Sequence, residues 1–261
     1  MSFITGIIFG FVAIRLSLMF LDQTFALYFD DVAITMVIGG TIAVGVISAP
    51  WQHREYFFKS LASVFFGFQK SHKNQVFDAL NFIRNPQSVS NKKARSIADE
   101  LYQDGSELIA LQFKPDDIEG ILQERLHQSV AKRHQVADFF HNLAKYPPAF
   151  GLVGTVLGLV NLMRAISEGL DPAQTGTKMA LALVATLYGL LLANFIVSPF
   201  AEACTKNIEK ERFQGEVALQ AILLAAEGES LLKSQEMLNS YISRKDRVNI
   251  LSEVMKEGLS A

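Results

Sequence analysis

Two uncharged stretches decide the fold: YPPAFGLVGTVLGLVNLM at residues 146–163 and MALALVATLYGLLLANFIVSPFA at residues 179–201. Neither stretch contains Lys, Arg, Asp, Glu or His. A helix needs about 20 predominantly apolar residues to cross the hydrocarbon core of a bilayer, and both stretches are close to that length. They therefore predict two transmembrane helices.

The N-terminal part of the chain contains two further candidate spans. Residues 3–21 are apolar except for Arg15, residues 32–51 are uncharged, and the link between them contains Asp22, Asp30 and Asp31. Half of the 261 residues are hydrophobic and 19% are charged, with a mean hydropathy of +0.23, which suits a membrane protein. We predict an all-α integral membrane protein with four transmembrane helices and a helical cytoplasmic domain. The N-terminal span lacks a basic start and a cleavage site, so we expect it to be retained.

The distribution of charge divides the chain into four segments. Transmembrane helices 1 and 2 are expected in residues 1–51, a cytoplasmic helical domain in 52–145, transmembrane helices 3 and 4 in 146–201, and cytoplasmic C-terminal helices in 202–261. Lys and Arg are concentrated in the second and fourth segments, so the positive-inside rule places both segments and both termini in the cytoplasm. Pro115 before two aspartates predicts the start of a long helix, and Gly228 predicts a break near the C-terminus.

Composition and spacing argue against several functions. His127, His134 and His141 recur every seven residues, but seven residues span roughly 10.5 Å of helix, too far for neighbours to bind one ion. The chain offers no Ser/His/Asp or Cys/His set, and the single Cys204 reads as a packing residue. We therefore expect no enzyme activity, cofactor or metal site. The net charge of −2 gives no indication of a nucleic-acid partner.

Thr155 and Thr186 are the polar residues near the middle of the last two spans. Their hydroxyls could bond to carbonyls of their own helices, or they could line a polar path for an ion. Counted from the centres of the two apolar runs, the threonines differ in depth by roughly 6 Å. The sequence leaves both interpretations open.

Small residues beside the threonines predict close helix packing. The last three spans contain no carboxylate or imidazole, so any titrating group in a proton path must come from another polypeptide. We expect its helix to pack on two small-residue faces, which consist of Gly151, Gly154 and Gly158 on the third span and Ala185, Gly189 and Ala193 on the fourth.

At these residues the sequence resembles the MotA/TolQ/ExbB ion-driven motor subunits. The resemblance is carried by PPAFGLVGTVLGLV (147–160), ALVATLYGLLLANFIVSP (182–199) and FDDVAITMVIGGT (29–41). Two spans before the long polar segment is the arrangement of flagellar stator A subunits. The resemblance implies a subunit of the bacterial inner membrane that couples proton or sodium flow to torque.

The resemblance also implies partners and residue roles. Five such subunits surround two copies of a single-span, peptidoglycan-binding partner (MotB/PomB-like) that carries a membrane Asp, and they act on the flagellar rotor (FliG-like). Thr155 and Thr186 correspond to the ion path, and Pro148 and Pro199 to coupling positions. An ion-driven motor of the same family acting on a non-flagellar target, and a purely structural membrane scaffold, remain as alternatives.

The sequence departs from the family pattern in two places. Residues 85–95 read NPQSVSNKKAR, so Lys92, Lys93 and Arg95 stand where acidic rotor-facing residues are expected. These three cations are either a candidate rotor contact or a solvated face. Arg15 within the first span is also unusual, because an Arg in a membrane helix is costly; it could pair at a subunit boundary.

Overall fold

The computed structural model describes residues 2–20, 28–51, 56–58, 60, 62, 64, 72–89, 94, 96–169 and 171–249. Within these residues the chain is helical and contains no strand. This confirms the all-α prediction. The candidate rotor contact at Lys92, Lys93 and Arg95 lies outside the described residues, so its prediction stays open.

The helices follow one another with short connections. Their bounds are α1 Ser2–Phe20, α2 Asp31–Ser48, α3 His72–Arg84, α4 Ile97–Ala110, α5 Pro115–Leu143, α6 Tyr146–Ser167, α7 Pro172–Leu191, α8 Ser198–Ala226 and α9 Leu231–Asn239. A 3₁₀ turn spans Pro86–Val89, and a π-helix, Leu192–Val197, joins α7 to α8. Pro115 begins α5 as predicted, and α8 ends two residues before Gly228, whose φ is +72°.

The chain divides into two compact units. Unit 1 comprises residues 1–67 and 134–205, and unit 2 comprises residues 68–133 and 206–261. Residues 134–145, which the charge pattern assigns to the cytoplasmic domain, belong to unit 1, and the predicted segment bounds remain a prediction. Aromatic packing holds these residues within unit 1: Phe140 lies 5.3 Å from Phe57 and 4.6 Å from Phe200, measured between ring centroids.

Unit 1 contains the apolar helices. By length and composition, three helical stretches of the described chain could cross a membrane: α2, a stretch within residues 115–167 and a stretch within residues 174–226. The apolar part of α1, Ile8–Phe20, is shorter. Three of the predicted spans therefore meet this test, and the count of four remains a prediction. Arg15 lies on the exposed side of α1.

Unit 2 has an apolar core built by α3, α4, α9 and parts of α5 and α8. Phe82, Leu101, Leu122, Ile222 and Leu238 are among its fully buried side chains. Burial of each such side chain stabilises the fold by about 1.5–3 kcal/mol. Unit 2 thus has the buried core expected of a folded helical domain.

A buried cation ties together three helices of unit 2. Arg133 on α5 forms ion pairs with Glu100 on α4 and Glu211 on α8, and its side chain is only 6% exposed. A buried charge is tolerated only when it is paired, so these carboxylates are required for this packing.

Candidate ion path

The hydroxyls of Thr155 on α6 and Thr186 on α7 meet inside unit 1. Their Oγ1 atoms are 2.5 Å apart, which is a hydrogen bond. Thr155 Oγ1 also lies 3.0 Å from the carbonyl oxygen of Gly151, and Thr186 Oγ1 lies 3.5 Å from the same oxygen. Three oxygen atoms, two from side chains and one from the backbone, thus converge at one point.

The order of donors in this cluster leaves one hydroxyl oxygen available. If Thr155 donates to the Gly151 carbonyl, its single proton is used and Thr186 must donate to Thr155. The oxygen of Thr186 then keeps its lone pairs for another donor or a cation. Thr155 is buried whereas Thr186 is half-buried, so the available oxygen belongs to the more accessible residue.

The geometry shows which hydrogen bonds the two hydroxyls form, and their role in an ion path stays a prediction. Thr155 does bond to a carbonyl of its own helix, as the packing interpretation requires. Thr186 instead bonds across the helix pair to Thr155, and the Gly151 carbonyl oxygen lies 3.5 Å from the same hydroxyl. The same hydroxyls therefore join the helices and form a polar point between them.

The expected depth difference between the threonines is wrong. That difference assumes a span beginning at Met179, but α7 begins at Pro172 and continues through the π-helix. The residues from Pro172 to Lys178 are more polar and escaped the hydropathy pattern, although they are helical. With this start, Thr186 lies at the level of Thr155.

Glycine allows α6 and α7 to approach closely. A Cβ added to Gly151 would lie 2.8 Å from the carbonyl oxygen of Ala185 and 3.0 Å from the Cα of Thr186. A Cβ at Gly158 would lie 2.9 Å from the Cα of Ala182. Because the obstructing atoms are backbone atoms, larger residues at these positions would separate the helices.

These contacts change the role expected for the small residues. Gly154 faces the Cβ of Ala185, and Gly189 faces the backbone of Pro147 and Pro148, so the two predicted faces pack against each other within the chain. Ala193 is buried as well. The small faces thus serve the contact between α6 and α7, where a partner helix had been expected. The sequence predicts two faces for an outside helix because the pairing of two spans is not visible in sequence.

Three prolines lie at the ends of this helix pair. Pro147 and Pro148 occupy the first turn of α6 and pack on Gly189. Backbone N–H groups in a first turn have no acceptor within the helix, so the N–H that proline lacks costs no hydrogen bond there. Pro199 is the second residue of α8, directly after the π-helix. The coupling roles of Pro148 and Pro199 remain a prediction.

The sequence pattern missed two features of the site. The carbonyl of Gly151 is a shared acceptor, and its position four residues before Thr155 is the signal that could have revealed it. Tyr188, two residues after Thr186, donates its hydroxyl to the backbone carbonyl of Tyr28. No sequence signal links those two tyrosines, because one precedes α2 and the other lies on α7.

Among the described residues, no group of three or more His, Cys, Asp and Glu side chains could hold a metal ion. The strongest perturbed group outside the spans is Tyr102 in the unit 2 core. Its burial, with Asp78 and Asp99 nearby, raises the pKa of the phenol well above its usual range. Tyr102 lines a small cavity with Gln75 and Gln214. This arrangement keeps the phenol protonated and belongs to packing.

Comparison with known proteins is consistent with this architecture. The profile of the MotA/TolQ/ExbB proton channel family matches residues 93–216. The chain is 30% identical to Motility protein A of Borreliella burgdorferi over 159 residues, which cover 60% of this chain and 60% of that protein. It is 24% identical to Motility protein A of Treponema phagedenis over 241 residues, covering 88% and 89% respectively.

A solved structure has the same fold. The structure of MotAB from C. jejuni matches with a TM-score of 0.83 over 95% of this chain and 98% of the matched chain, at 17% identity. The fold and the apolar helices therefore indicate a polytopic α-helical membrane protein. Over residues 93–216, just under half of the chain, the sequence is similar to the MotA/TolQ/ExbB proton channel family.

Proposed function

We propose that this chain is the ion-conducting stator subunit of a bacterial flagellar motor and that it couples proton flow to torque. Its relatives include proteins named Motility protein A, and its fold matches that of a MotAB structure. The observation that carries the proposal is the hydroxyl pair of Thr155 and Thr186, which lies within the uncharged stretches 146–163 and 179–201. The two hydroxyls provide polar oxygen atoms in a hydrocarbon environment in which an ion would otherwise be energetically unfavourable.

The stator subunit requires a second polypeptide. Near the hydroxyl pair, the described residues of α2, α6 and α7 include no carboxylate or imidazole that could take up a proton. A single-span partner with a membrane Asp supplies that group in our proposal. Because α6 and α7 use their small faces on each other, the partner helix meets the exposed apolar residues beside them, which include Leu152, Val156 and Leu187.

Topology and coupling complete the proposal. Four spans place both termini in the cytoplasm, with α6 running outward and α7 running inward. Pro148 and Pro199 lie at the cytoplasmic ends of the pair. We propose that they couple ion passage at the threonines to movement of the adjoining cytoplasmic helices. Lys92, Lys93 and Arg95 are proposed as one contact with the rotor.

Matched substitutions of Thr186 test the role of the hydroxyl. Val has almost the size and shape of Thr but lacks the donor, whereas Ser keeps the donor and loses a methyl group. We expect Thr186→Val to abolish ion flux while the complex with its partner still assembles, and Thr186→Ser to retain much of the flux. Flux is measured with a pH-sensitive dye in vesicles that contain the purified complex, with a sodium-sensitive dye as the parallel measurement.

Thr155 provides the second arm of the experiment. Thr155→Val removes the hydroxyl that donates to the carbonyl of Gly151. We expect Thr155→Val to reduce ion flux more than Thr155→Ser does, as at position 186. Thr41, a buried hydroxyl on α2 that bonds to the carbonyl of Val37, is the matched control, and Thr41→Val should leave flux unchanged. Equal flux through the Val and Thr forms at positions 155 and 186 would show that these hydroxyls only pack helices.

A further inference from the structure

An exposed turn near the end of the described chain presents three cations. Residues 243–247 read SRKDR and follow α9; we refer to them as the basic turn. Arg244, Lys245 and Arg247 are all exposed. Within the described part of the chain, no carboxylate lies at ion-pair distance from these three side chains. Their charges therefore face outward.

The basic turn has a fixed shape. The hydroxyl of Ser243 donates to Asp246 Oδ2 at 2.7 Å, and the backbone N–H of Asp246 donates to the carbonyl of Ser243 at 2.9 Å. Asp246 is thus occupied inside the turn. Three cations and one carboxylate leave an excess of two positive charges on a closed loop.

Both ends of the basic turn are anchored in unit 2. Ile242 before it and Val248 after it belong to the apolar core and are 8% and 2% exposed. The buried amide of Asn239 donates to the carbonyl of Val248 and accepts from its N–H, each at 2.9 Å. These two hydrogen bonds from Asn239 fix the position of Val248, at the end of the basic turn. The three cations are therefore held in place before a partner binds. Preorganisation of this kind lowers the entropic cost of binding.

The chemistry of the basic turn favours a protein over a lipid surface. Membrane-surface segments combine basic residues with exposed apolar side chains that insert, and basic lipid-binding clusters contain about four to eight cations. Here the apolar neighbours Ile242 and Val248 are buried, and a carboxylate stands among three cations. A short rigid cationic loop of this kind matches an acidic patch on a folded protein.

We infer that the basic turn docks the subunit on an acidic face of the cytoplasmic protein assembly that the motor drives. This inference rests on the proposed stator function and adds a contact surface to it. Arg244, Lys245 and Arg247 supply the attraction, and Asn239 with Val248 supplies the rigidity.

The test uses the full chain, co-expressed with its single-span partner, in a motile host that lacks its own stator genes. A fluorescent tag on the partner counts complexes at each motor. The triple variant Arg244→Glu, Lys245→Glu, Arg247→Glu should reduce the number of complexes at the motor at least about tenfold, because like charges then face each other. The triple Gln variant should fall between that variant and the unchanged chain.

Two controls separate this surface from other effects. Arg84, Lys114 and Lys132 are exposed cations of unit 2 outside the basic turn, so changing all three to Glu alters the net charge equally. That variant should retain recruitment. Flux through the purified complex in vesicles should be the same for every variant, because the substitutions lie outside the spans.

The outcomes are distinct. Suppose that the unchanged chain restores rotation and that the triple Glu variant is recruited to the motor equally well. The inferred docking surface is then overturned, and the stator function stands. If the unchanged chain neither conducts ions nor restores rotation, the stator function fails and the inference fails with it. If the complex in neutral nanodiscs floats with phosphatidylserine vesicles, and the Gln variant loses this binding while keeping recruitment, the surface binds lipid and the inference is overturned.

Discussion

At the scale of single residues, Gly151 combines two roles that no other residue could combine. Its missing Cβ lets the backbone of α7 approach α6, and its carbonyl accepts from the hydroxyl of Thr155. Any side chain at this position would meet the carbonyl of Ala185 and the Cα of Thr186. The close approach is what brings the two threonine hydroxyls within bonding distance.

We predict that Gly151→Ala destabilises the α6–α7 pair by about 1–3 kcal/mol, the usual cost of overpacking against atoms that cannot move aside. The threonine hydroxyls should separate, so ion flux should fall with stability. Thermal unfolding of the complex in detergent and flux in vesicles check both effects.

Gly120 is the control for Gly151, because it also lies within a helix but a Cβ there would have nothing within 4 Å. Gly120→Ala should raise helix stability by up to about 1 kcal/mol, since Ala is the better helix former. Flux should be unchanged. A Gly151→Ala protein as stable and conductive as the Gly120→Ala protein would contradict the close packing of α6 on α7.

At the scale of elements, the π-helix between α7 and α8 sets the course of the chain from the threonines to Pro199. Its N–H groups bond five residues back, as shown by Ser198 and Ala193. In an α-helix the ring of Pro199 would clash with the carbonyl of Phe195, four residues earlier. The wider π turn accommodates one extra residue at that point, and such turns are frequent at functional sites.

We predict that deletion of Ile196, an exposed residue of the π-helix, is tolerated by assembly. The deletion removes the extra residue, so the segment can close as an α-helix with its two ends in nearly their original directions. Membrane level and co-purification with the partner should remain close to those of the unchanged chain. Torque should fall, because in the α-helix that then forms the ring of Pro199 would clash with the carbonyl four residues before it.

Deletion of Leu187 is the matched control, since Leu187 is exposed as well but lies in the α-helical part of α7. Losing it rotates every later residue by about 100°, so Ala193 and Val197 would leave the buried face. Assembly should then be lost. Equal damage from both deletions would count against a π-helix at residues 192–197.

At the scale of the whole molecule, the chain exposes more apolar surface than a soluble monomer would tolerate. On α6 and α7 the exposed side chains include Leu152, Val156, Val160, Leu183 and Leu187. Lipid and other polypeptides are the partners for such a surface. The exposed sides of the helix pair are therefore where subunits and partner meet in the proposed assembly.

We predict that the purified complex contains five copies of this chain around two copies of the single-span partner. No described residue beside the threonines carries a titrating group, so we expect a conducting complex to include the partner's carboxylate. Native mass measurement in detergent gives the stoichiometry directly. A stable monomer, or ion flux through this chain alone, would contradict the assembly.

Much of the architecture could be predicted from sequence because it depends on local composition. Long uncharged runs cannot be placed in water at low cost, so residues 146–163 and 179–201 indicated apolar helices. Proline and glycine mark helix ends through their own backbone limits, which is why Pro115 and Gly228 marked the start of α5 and the end of α8. Thr155 and Thr186 stood out because hydroxyls are unusual among apolar residues.

Only the tertiary structure determined which of these features meet. The pairing of α6 with α7 depends on the shapes of two distant segments, and it turned two predicted partner faces into one internal contact. The same pairing placed Thr186 beside Thr155 and the Gly151 carbonyl, where counting from Met179 had set the threonines at different depths. Composition reports what a segment prefers to contact, whereas the register between two helices is set by backbone atoms that approach where glycine leaves room.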